Sequence, residues 1–543
     1  MQKTNTKSII ILTLMALVIG SACSLTGLAS TTQEPPAPSP ITVEQTPMPV
    51  ATATIAAPRS VRVAVDGSGD YPDLASAVVD LVPGSTIMLD EGTYFLGQSL
   101  AINKSLTIIG AGQEKTVVTS SDASGVLDFT GPNMLVLQGI HFTYTGTAWT
   151  YTAEITDGSF RIEDCRFSSA VRDIDQEIGG NGLYIKGLSI GSIVNSSFIS
   201  NQHNGLSING SSYVDVDSCT FYANSNTGVG FWESASGTVS NSSSIENNHG
   251  YIASENSRVV FTNNSASKNL ESGFVAFENA NITATGNQSF QNGLNGFSIT
   301  NQSIGSFENN IAYENTESGF AAFDESSMTL RVNESYSNGS QGFSAQDFSK
   351  LTAEDNTVYD NQSGGGRCSG ESNLVVRRNT IKTNQLSGVL VAEKCDAIIE
   401  NNVLSTNQEG GISTFGESKA SIQNNSISDN ALSGINITEG STADIIDNTV
   451  FDNLQAGIRI SEDSKANVIL NLIYSNNLSG VIVRDRAYAY LDKNTIDDNG
   501  ESAIVFFDSS LGDVNNNTCS GNARMGIEVI DEAAPNIGSN TCQ

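Results

Sequence analysis

Basic residues, histidine and tryptophan are scarce in this chain of 543 residues. It carries 26 Lys and Arg against 58 Asp and Glu, with only 3 His and 2 Trp. The formal net charge of −32 leaves no basic stripe for phosphates, which excludes nucleic acid as a partner. The same charge disfavours anionic lipid and bare polyuronates as partners, unless a cation bridges them.

Long apolar runs are also lacking, so the sequence predicts no membrane-spanning helix. A short apolar run at residues 9–19 follows a basic start and precedes the small residues GSAC at 20–23, which is typical of an export signal. Cys23 after such residues resembles the lipobox of bacterial lipoproteins, although Gly20 stands where that motif has leucine. The resemblance implies a protein of the cell envelope or surface whose only membrane contact is a lipid on Cys23. An ordinary signal peptide is the alternative.

Three segments follow from this composition: a signal peptide at 1–22, a tether at 23–59 and a folded body at 60–543. The tether is rich in Pro, Thr and Ala. Such a segment stays extended and is too polar to form a core. It would hold the body away from a membrane.

An internal repeat of 23 residues dominates the body. One column of glycines recurs every 23 residues, with a single interval of 22 between Gly228 and Gly250. Alanine replaces the glycine once. The column is Gly182, Gly205, Gly228, Gly250, Gly273, Gly296, Gly319, Gly342, Gly365, Gly388, Gly411, Gly434, Gly457, Gly480, Ala503 and Gly526.

Two columns of asparagine accompany the glycines, nine and four residues before them, for example Asn425 and Asn430 before Gly434. Residues one and three after the glycine are mostly apolar, as in Ile435 and Ile437, which predicts short strands with one face inward. A repeat this short buries its apolar face only by stacking on its neighbours. In such a stack each Asn amide can bond to the next, forming ladders.

The coil pattern N-x-I-x-x-N-x-x-x-G-I-x-I resembles the right-handed parallel β-helix proteins of the pectin-lyase-like superfamily, over residues 60 to 543. The stretch VAVDGSGDYPDLASAVVDLVPGSTIMLDEGTYF resembles the usual start of that family, with a short helix near 73–81 that covers the core. The resemblance implies an all-β solenoid of about 20 coils. Its parts are capping and first coils at 60–124, irregular coils at 125–181 and regular repeats at 182–543.

Members of this superfamily include pectate lyases, pectinesterases, polygalacturonases, sugar epimerases and non-catalytic adhesins, so the fold does not determine the reaction. The catalytic motifs of pectinesterases and polygalacturonases and the Asp-Pro-His-Asp motif of alginate epimerases are absent. A similar β-helix assists copper loading of nitrous oxide reductase, but His and Met are too scarce here for that function. The sequence predicts no catalytic residue, metal centre or cofactor.

One candidate ligand-binding face lies just after the strand that follows each glycine. Aromatic residues occur four positions after the glycine and carboxylates five positions after it, both on adjacent or alternate coils. Exposed aromatics can stack on sugar rings while carboxylates bind hydroxyls. The carboxylate column has two interpretations, a solvated turn or a row of weak Ca²⁺ sites. The candidates are Trp232, Glu233, Phe277, Glu278, Phe323 and Asp324.

Two further groups carry charge in positions suited to binding. A segment between Phe167 and Gly182 is longer than the regular turn, and charged loops on rigid scaffolds are frequent functional sites. Arg459 and Arg484 could hold an acidic sugar or form an ion-pair cluster with Glu462 and Asp485. The loop candidates are Arg172, Asp173, Asp175, Glu177 and, one coil later, His203.

The stacked aromatics six positions before the glycine, Phe290, Tyr313, Tyr336 and Tyr359, are interpreted as a structural ladder. Cys519 and Cys542 are 23 residues apart, so we predict a disulfide that joins the last coils. Cys165 and Cys219 share a column but lie two coils apart, and Cys368 and Cys395 fall in different columns.

Two classes of function fit these observations. The first is a surface-displayed protein that presents a long face to carbohydrate or other cell-surface material, and the regularity of the coils favours it. The second is a polysaccharide-active enzyme, a lyase, hydrolase or epimerase, that uses carboxylates on that face. Product release from polysaccharides, as against retention without turnover, distinguishes them.

Overall fold

The computed structural model describes residues 56–542. The predicted signal peptide, Cys23 and most of the tether lie outside the described residues. In residues 56–542 no helix is both long and apolar enough to cross a membrane. The helix predicted near the start of the body spans Leu74–Asp80. Asp73 is its N-cap, and the Asp73 carboxylate accepts the Ser76 N–H at 2.7 Å. The helix buries Leu74, Ala77 and Val78 against the first coils, as predicted.

The body is a right-handed parallel β-helix of 21 coils with a 23-residue repeat, which confirms the predicted fold class. Each coil contributes a strand to sheets 1, 2 and 3 in turn. Every strand pairs in parallel with the same strand of the next coil, as Lys419 does with Thr442, 23 residues later. An antiparallel hairpin of Arg172–Asp173 and Ile178–Gly179 is added between sheets 2 and 3.

The strands of sheet 1 are mostly five residues long in the regular coils. They are Ser60–Val63, Ser85–Leu89, Leu106–Ile109, Met134–Gln138, Ser159–Glu163, Ile190–Val194, Tyr213–Asp217, Ser236–Ser240, Arg258–Thr262, Asn281–Thr285, Ile304–Glu308, Ser327–Arg331, Lys350–Glu354, Asn373–Arg377, Asp396–Glu400, Lys419–Gln423, Thr442–Ile446, Lys465–Ile469, Tyr488–Asp492, Leu511–Asn515 and Asn536–Ile537.

The strands of sheet 2 are mostly three residues long. They are Gly92–Leu96, Thr116–Ser120, His141–Tyr144, Arg166–Ser168, Ser197–Ile199, Thr220–Tyr222, Ser243–Ile245, Ser265–Ser267, Gln288–Phe290, Ile311–Tyr313, Glu334–Tyr336, Thr357–Tyr359, Thr380–Lys382, Val403–Ser405, Ser426–Ser428, Thr449–Phe451, Leu472–Tyr474, Thr495–Asp497, Thr518–Ser520 and Thr541–Cys542.

Sheet 3 follows the column glycine. Its strands are Leu100–Ile102, Leu127–Thr130, Ala153–Thr156, Leu183–Lys186, Leu206–Ile208, Thr227–Phe231, His249–Ser254, Phe274–Phe277, Phe297–Ile299, Phe320–Ala322, Phe343–Ala345, Gly366–Cys368, Val389–Val391, Ile412–Thr414, Ile435–Ile437, Ile458–Ile460, Val481–Val483, Ile504–Phe506 and Ile527–Val529.

Left-handed backbone forms the three corners of each regular coil. We number positions from the column glycine of the coil, so that Asp324 is at position +5 after Gly319. Asp324 and Glu325 have φ of 48° and 61°, and the Ser326 N–H donates to the Phe323 carbonyl at 3.1 Å. Two successive positive φ angles inside such a bond are the signature of a type I′ turn. The other corners place one left-handed residue before each ladder asparagine, such as Val332 (φ 53°).

Both predicted asparagine ladders are present and buried at the corners on either side of sheet 2. The Asn402 Oδ1 accepts the Asn379 backbone N–H at 2.8 Å and its Nδ2 at 3.0 Å. Asn402 Nδ2 donates in turn to Asn425 Oδ1 at 3.0 Å and to the Val376 carbonyl at 2.8 Å. Each amide therefore pairs corner groups that have no partner in the sheets. One ladder runs on to Asn540, beyond the predicted column.

Cys519 and Cys542 form a disulfide in adjacent coils, with Cα atoms 4.3 Å apart. Cys368 and Cys395, which different columns had seemed to separate, are also joined, with Cα atoms 6.0 Å apart. Cys368 is at position +3 of one coil and Cys395 at position +7 of the next, and both face inward on the two sides of the type I′ corner. Column periodicity does not reveal neighbours across a corner, so the unpaired interpretation of these two cysteines is wrong.

Cys165 and Cys219 are free and buried, with Ser196 of the coil between them bonded to the Cys165 N–H. Burial raises the pKa of each thiol to about 12. Both are therefore unreactive thiols of the core.

The ladder predicts that one isosteric change lowers stability strongly at one asparagine and hardly at all at its neighbour. Asn402→Asp removes the amide donor from a site that is 1% exposed, and we expect a loss of about 3 kcal/mol or more because buried partners stay unpaired. The measurement is the midpoint of urea unfolding. Asn401→Asp, on the exposed corner beside it, is the control and should change stability by less than about 0.5 kcal/mol. Equal effects would contradict the ladder's role.

The left-handed corners predict that replacing one apolar side chain stabilises the protein. Val332 is 49% exposed at φ 53°, a region costly for a β-branched residue and tolerated by Asn. Val332→Asn should therefore stabilise the protein by about 1 kcal/mol in the same urea assay. Val260, 41% exposed in an extended strand, is the matched control, and Val260→Asn should destabilise. The same sign for both would show that the corner carries no strain.

Candidate functional site

The predicted aromatic and carboxylate residues lie on one continuous edge of the solenoid, the corner between sheets 3 and 1. We call positions +4 to +6 of this corner the ridge. The aromatic rings at position +4 are half-buried and the carboxylates at position +5 are exposed. The predicted members that the ridge brings together are Trp232, Glu233, Phe277, Glu278, Phe323 and Asp324.

The aromatic rings of the ridge occupy alternate coils. Trp232 and Phe277 are two coils apart, with Ser254 between them, and their rings meet edge to face at 6.0 Å and 73°. Phe323 lies two coils further on, after Thr300. Two coils correspond to about 9.6 Å at the strand spacing of a sheet. The Trp232 ring lies over Gly230, where any Cβ would come within 2.7 Å of the indole Nε1.

The carboxylates of the ridge hydrogen-bond to hydroxyls of the preceding coil. Glu278 accepts from Ser254 at 3.1 Å and Asp324 accepts from Thr300 at 2.7 Å. Left-handed backbone favours Asn, Asp and Gly at position +5. The turn thus accounts for Asp324, but it does not account for Glu233 (φ 60°) or Glu278 (φ 57°).

The ridge is concave between its rows of side chains. The surface from Glu278 to Phe348 encloses about 630 Å³. Within residues 56–542 no three His, Cys, Asp or Glu side chains come together as a metal-binding set. Each acidic side chain extends from the turn of its own coil.

Arg484 lies further along the ridge and Arg459 lies beside it on sheet 3, at position +2, and both line a second concave surface of about 800 Å³. Arg484 Nε is 2.7 Å from Asp485 and 3.7 Å from Asp508. Arg459 has no carboxylate within 4.0 Å among the described residues, and its Nε is buried without a hydrogen-bond partner. The predicted ion-pair cluster therefore includes Arg484 and leaves Arg459 outside it.

The predicted charged loop is the hairpin between sheets 2 and 3. Backbone bonds hold its base to the solenoid, from Thr150 N to the Val171 carbonyl at 2.8 Å and from Gly180 N to the Thr150 carbonyl at 2.9 Å. Asp173 shapes the tip by accepting the N–H groups of Asp175 and Gln176 at 3.0 and 3.1 Å. Asp175 and Glu177 are exposed at the tip, and Arg172 lies inward toward His203.

His203 is fully hydrogen-bonded within its corner. Asn181 Oδ1 accepts the backbone N–H of Asn204, so the His203 Nδ1 at 3.0 Å from it must donate. The His203 Nε2 then accepts from Asn226 Nδ2 at 3.1 Å. Burial, aided by Arg172, lowers the pKa of His203 to about 4. This neutral ring has no free nitrogen for catalysis or for a ligand.

Sequence periodicity missed a cluster on the outer face of sheet 3 beside the hairpin. The rings of Tyr151 and Tyr184 meet at 4.5 Å, and Lys186 pairs with Glu154 at 2.6 Å while lying 5.5 Å from the Tyr184 ring. The cluster spans the coil before the hairpin and the first regular coil. Aligning Glu154 with Tyr184 across the long insertion would have revealed it.

The predicted structural ladder of Phe290, Tyr313, Tyr336 and Tyr359 is confirmed on the outer face of sheet 2. Successive rings are 4.9, 5.1 and 4.9 Å apart and tilted by 4 to 6°. The Tyr359 hydroxyl donates to Glu334 at 2.7 Å, and Lys382 continues the row 5.9 Å from the Tyr359 ring.

Uniform stacked coils with a corner ladder and a surface ridge define the class of right-handed parallel β-helix proteins. The chain belongs to the family described as "Right handed beta helix region", whose model matches residues 139–306, 285–385, 367–481 and 410–543. No curated protein matches the chain.

Several solved structures are similar to this chain at low identity. The Azotobacter vinelandii mannuronan C-5 epimerase AlgE6 A-module is 13% identical over 85% of this chain and 95% of that one, with a TM-score of 0.26. Pectate lyase Pel9A is 19% identical over 56% and 76%, with a TM-score of 0.30. Pre-mature bacteriophage phi29 gene product 12 is 12% identical over 86% and 71%, with a TM-score of 0.35.

The buried histidines predict a loss of stability in acid. Burial lowers the pKa of His203, and burial with Arg166 that of His141, from 6.5 to about 4. The unfolded chain therefore binds protons first, and the free energy of unfolding falls as pH drops from about 6.5 to about 4. We expect about 2 kcal/mol of this loss from His203 between pH 6.5 and 4.5.

Two measurements check this prediction. With only three histidines in the chain, selective labelling should show His141 and His203 titrating near pH 4. His203→Gln should flatten the pH profile of unfolding, and Gln202→Ala, a neighbour that does not titrate, should leave its shape unchanged. Parallel profiles for the wild type and His203→Gln would contradict the assignment.

Proposed function

We propose that this protein is exported, anchored by lipid at Cys23, and binds polysaccharide or other cell-surface glycan along its ridge. The observation that carries the proposal is the alternation of Trp232, Phe277 and Phe323 on every second coil, with carboxylates at the next position. In an extended glycan, every second sugar turns the same face to a surface. The Trp232 and Phe277 rings form one edge-to-face patch at 6.0 Å, and Phe323 lies two coils, about 9.6 Å, further along. Aromatic groups at that spacing suit stacking on alternate sugars.

The charge of the ridge favours neutral sugars. Glu233, Glu278 and Asp324 are hydrogen-bond acceptors that suit sugar hydroxyls. They would repel the carboxylates of a uronate at the same place. Neutral glycans are therefore the expected ligands of this face.

The ridge fits binding better than turnover. Its side chains repeat with the coil, and the hairpin is the one long insertion beside the regular coils. The His203 ring at its base is fully hydrogen-bonded. A rigid surface with rows of equivalent groups supports attachment to a repeating polymer, which is how a display protein would use it.

The test is titration calorimetry of the full-length chain with cellohexaose, xylohexaose and mannohexaose, together with an assay for new reducing or unsaturated ends. At least one of them should bind without product, and Trp232→Ala should weaken binding about tenfold, as loss of ~1.4 kcal/mol of stacking requires. Tyr336→Ala, which removes a half-buried aromatic from sheet 2, is the matched control and should change affinity less than about twofold.

Three results would contradict the proposal. If none of the three glycans binds, neutral glycans are not ligands of the ridge. An equal loss in Tyr336→Ala would show that the ridge is not the site. New reducing or unsaturated ends would establish the enzyme interpretation instead.

A further inference from the structure

The outer face of sheet 1 carries a groove of about 740 Å³, on a different side of the coil from the row of ridge aromatics. It runs along the solenoid axis from Asn373 to Tyr488, across six strands. Five coil steps correspond to about 24 Å. Its two rims are the outward rows at positions +8 and +10, and its floor is the row between them.

Small inward residues explain why the face is concave here. The floor position holds alanine in five consecutive coils, Ala397, Ala420, Ala443, Ala466 and Ala489. The three preceding coils have Met328, Leu351 and Leu374 at that position. Since protein interiors are close-packed, strands with less side chain beneath them lie closer to the axis. The lining of the groove as a whole is mainly apolar.

The rims carry charges that alternate in sign from coil to coil. Asp396, Lys419 and Lys465 lie on the +8 rim and Asp444 on the opposite +10 rim, in four consecutive coils. Asp444 accepts from Asn467 Nδ2 at 2.7 Å. In residues 56–542 neither lysine has a carboxylate within 4.0 Å, whereas arginines of other rows, such as Arg377, are ion-paired. In a chain with a net charge of −32, two unpaired cations on one face are notable groups for an anion.

The chemistry of the face selects the kind of occupant. All backbone groups of these strands are used by parallel pairing with the neighbouring coils, so a peptide strand could not extend the sheet here. Its own backbone groups would be buried without partners. A glycan instead offers apolar ring faces to the floor and hydroxyls to the rims.

We propose that this groove binds an extended polysaccharide in which a uronate alternates with an uncharged sugar. Lys419 and Lys465 are two coils apart, about 9.6 Å, which is close to the length of a disaccharide unit. They would pair with the carboxylates of alternate sugars. Asp396 and Asp444 on the coils between would accept hydroxyls from the uncharged sugars and repel a carboxylate placed there.

The alternating charges of the rims distinguish this ligand from two simpler classes, neutral glycans and polyuronates. A neutral glycan leaves the two lysines unpaired, and a polyuronate brings every second carboxylate against an aspartate. The net charge of the protein does not oppose local pairing strongly, because exposed charges are screened beyond about 8 Å at physiological salt. The inference does not rest on the ridge, since site and ligand charge both differ.

The experiment measures binding of three hexasaccharides to the full-length chain by calorimetry. One alternates glucuronate with N-acetylglucosamine, one is cellohexaose and one is hexagalacturonate. The alternating hexasaccharide should bind about tenfold more tightly than either of the others, which is one decade in the dissociation constant. Lys419→Gln combined with Lys465→Gln should remove that preference.

A blocking substitution locates the site. Ser421, at position +10, lines the groove and points outward from sheet 1. Ser421→Trp should therefore abolish binding by filling the groove. Thr352→Trp, at position +10 of sheet 1 outside the groove and above Leu351, is the matched control and should bind like the wild type. Trp232→Ala on the ridge should also leave this affinity unchanged, which separates the two sites.

The proposal is overturned by any of four outcomes. Equal or weaker affinity for the alternating hexasaccharide would remove its charge argument. Unchanged binding in Ser421→Trp would place the ligand elsewhere, and loss of binding in Trp232→Ala would place it on the ridge. A dimer that sedimentation shows to dissociate in Ser421→Trp would make the groove an interface between copies of this chain.

Discussion

The structure depends on three left-handed corners per coil and on the amides that make these corners tolerable inside a protein. A corner breaks the strand pairing and leaves backbone groups that face the core. Asn402 shows the solution, because its amide accepts two donors from the coil before and donates to the coil after and to a carbonyl. The same exchange repeats from Asn264 to Asn540 and from Asn201 to Asn522. Because each amide must meet the next, the corners stay in register along the regular coils, which are spaced by 23 residues except for the one interval of 22.

A fixed coil length turns every outward position into a row. Two groups at the same position of successive coils are separated by the strand spacing of about 4.8 Å, and those on alternate coils by twice that. A binding surface built this way matches the repeat distance of a polymer better than the shape of a small molecule. Trp232, Phe277 and Phe323 show it on the ridge, and Lys419 and Lys465 show it on sheet 1. The two rows differ in the charge that they offer.

The fold was predictable because the repeat contains residues with strong backbone preferences at fixed positions. The glycine and asparagine columns indicate corners, and alternating Ile and Val indicate strands that face one core. The helix after Asp73 and the disulfide between Cys519 and Cys542 follow from local capping and from a single column. Periodicity describes neighbours along the axis, however, and not neighbours around the coil. Cys368 and Cys395 are joined across a corner, and the ring of His203 contacts Asn181 of the adjacent column as well as Asn226 of its own.

The residues at position +5 bear on whether the ridge does more than close the coil. Glycine occupies that position at Gly187, Gly210, Gly370 and Gly416, with φ of 66 to 75° and no steric cost. Asp and Asn, as at Asp324 and Asn301, tolerate the same backbone. Glutamate has no such preference, yet Glu233, Glu255 and Glu278 adopt φ of 57 to 60° in three successive coils, the first and last of them beside Trp232 and Phe277. Folding alone would be better served by glycine there, so the local backbone does not explain these glutamates, of which Glu278 accepts a hydrogen bond from Ser254 of the preceding coil at 3.1 Å.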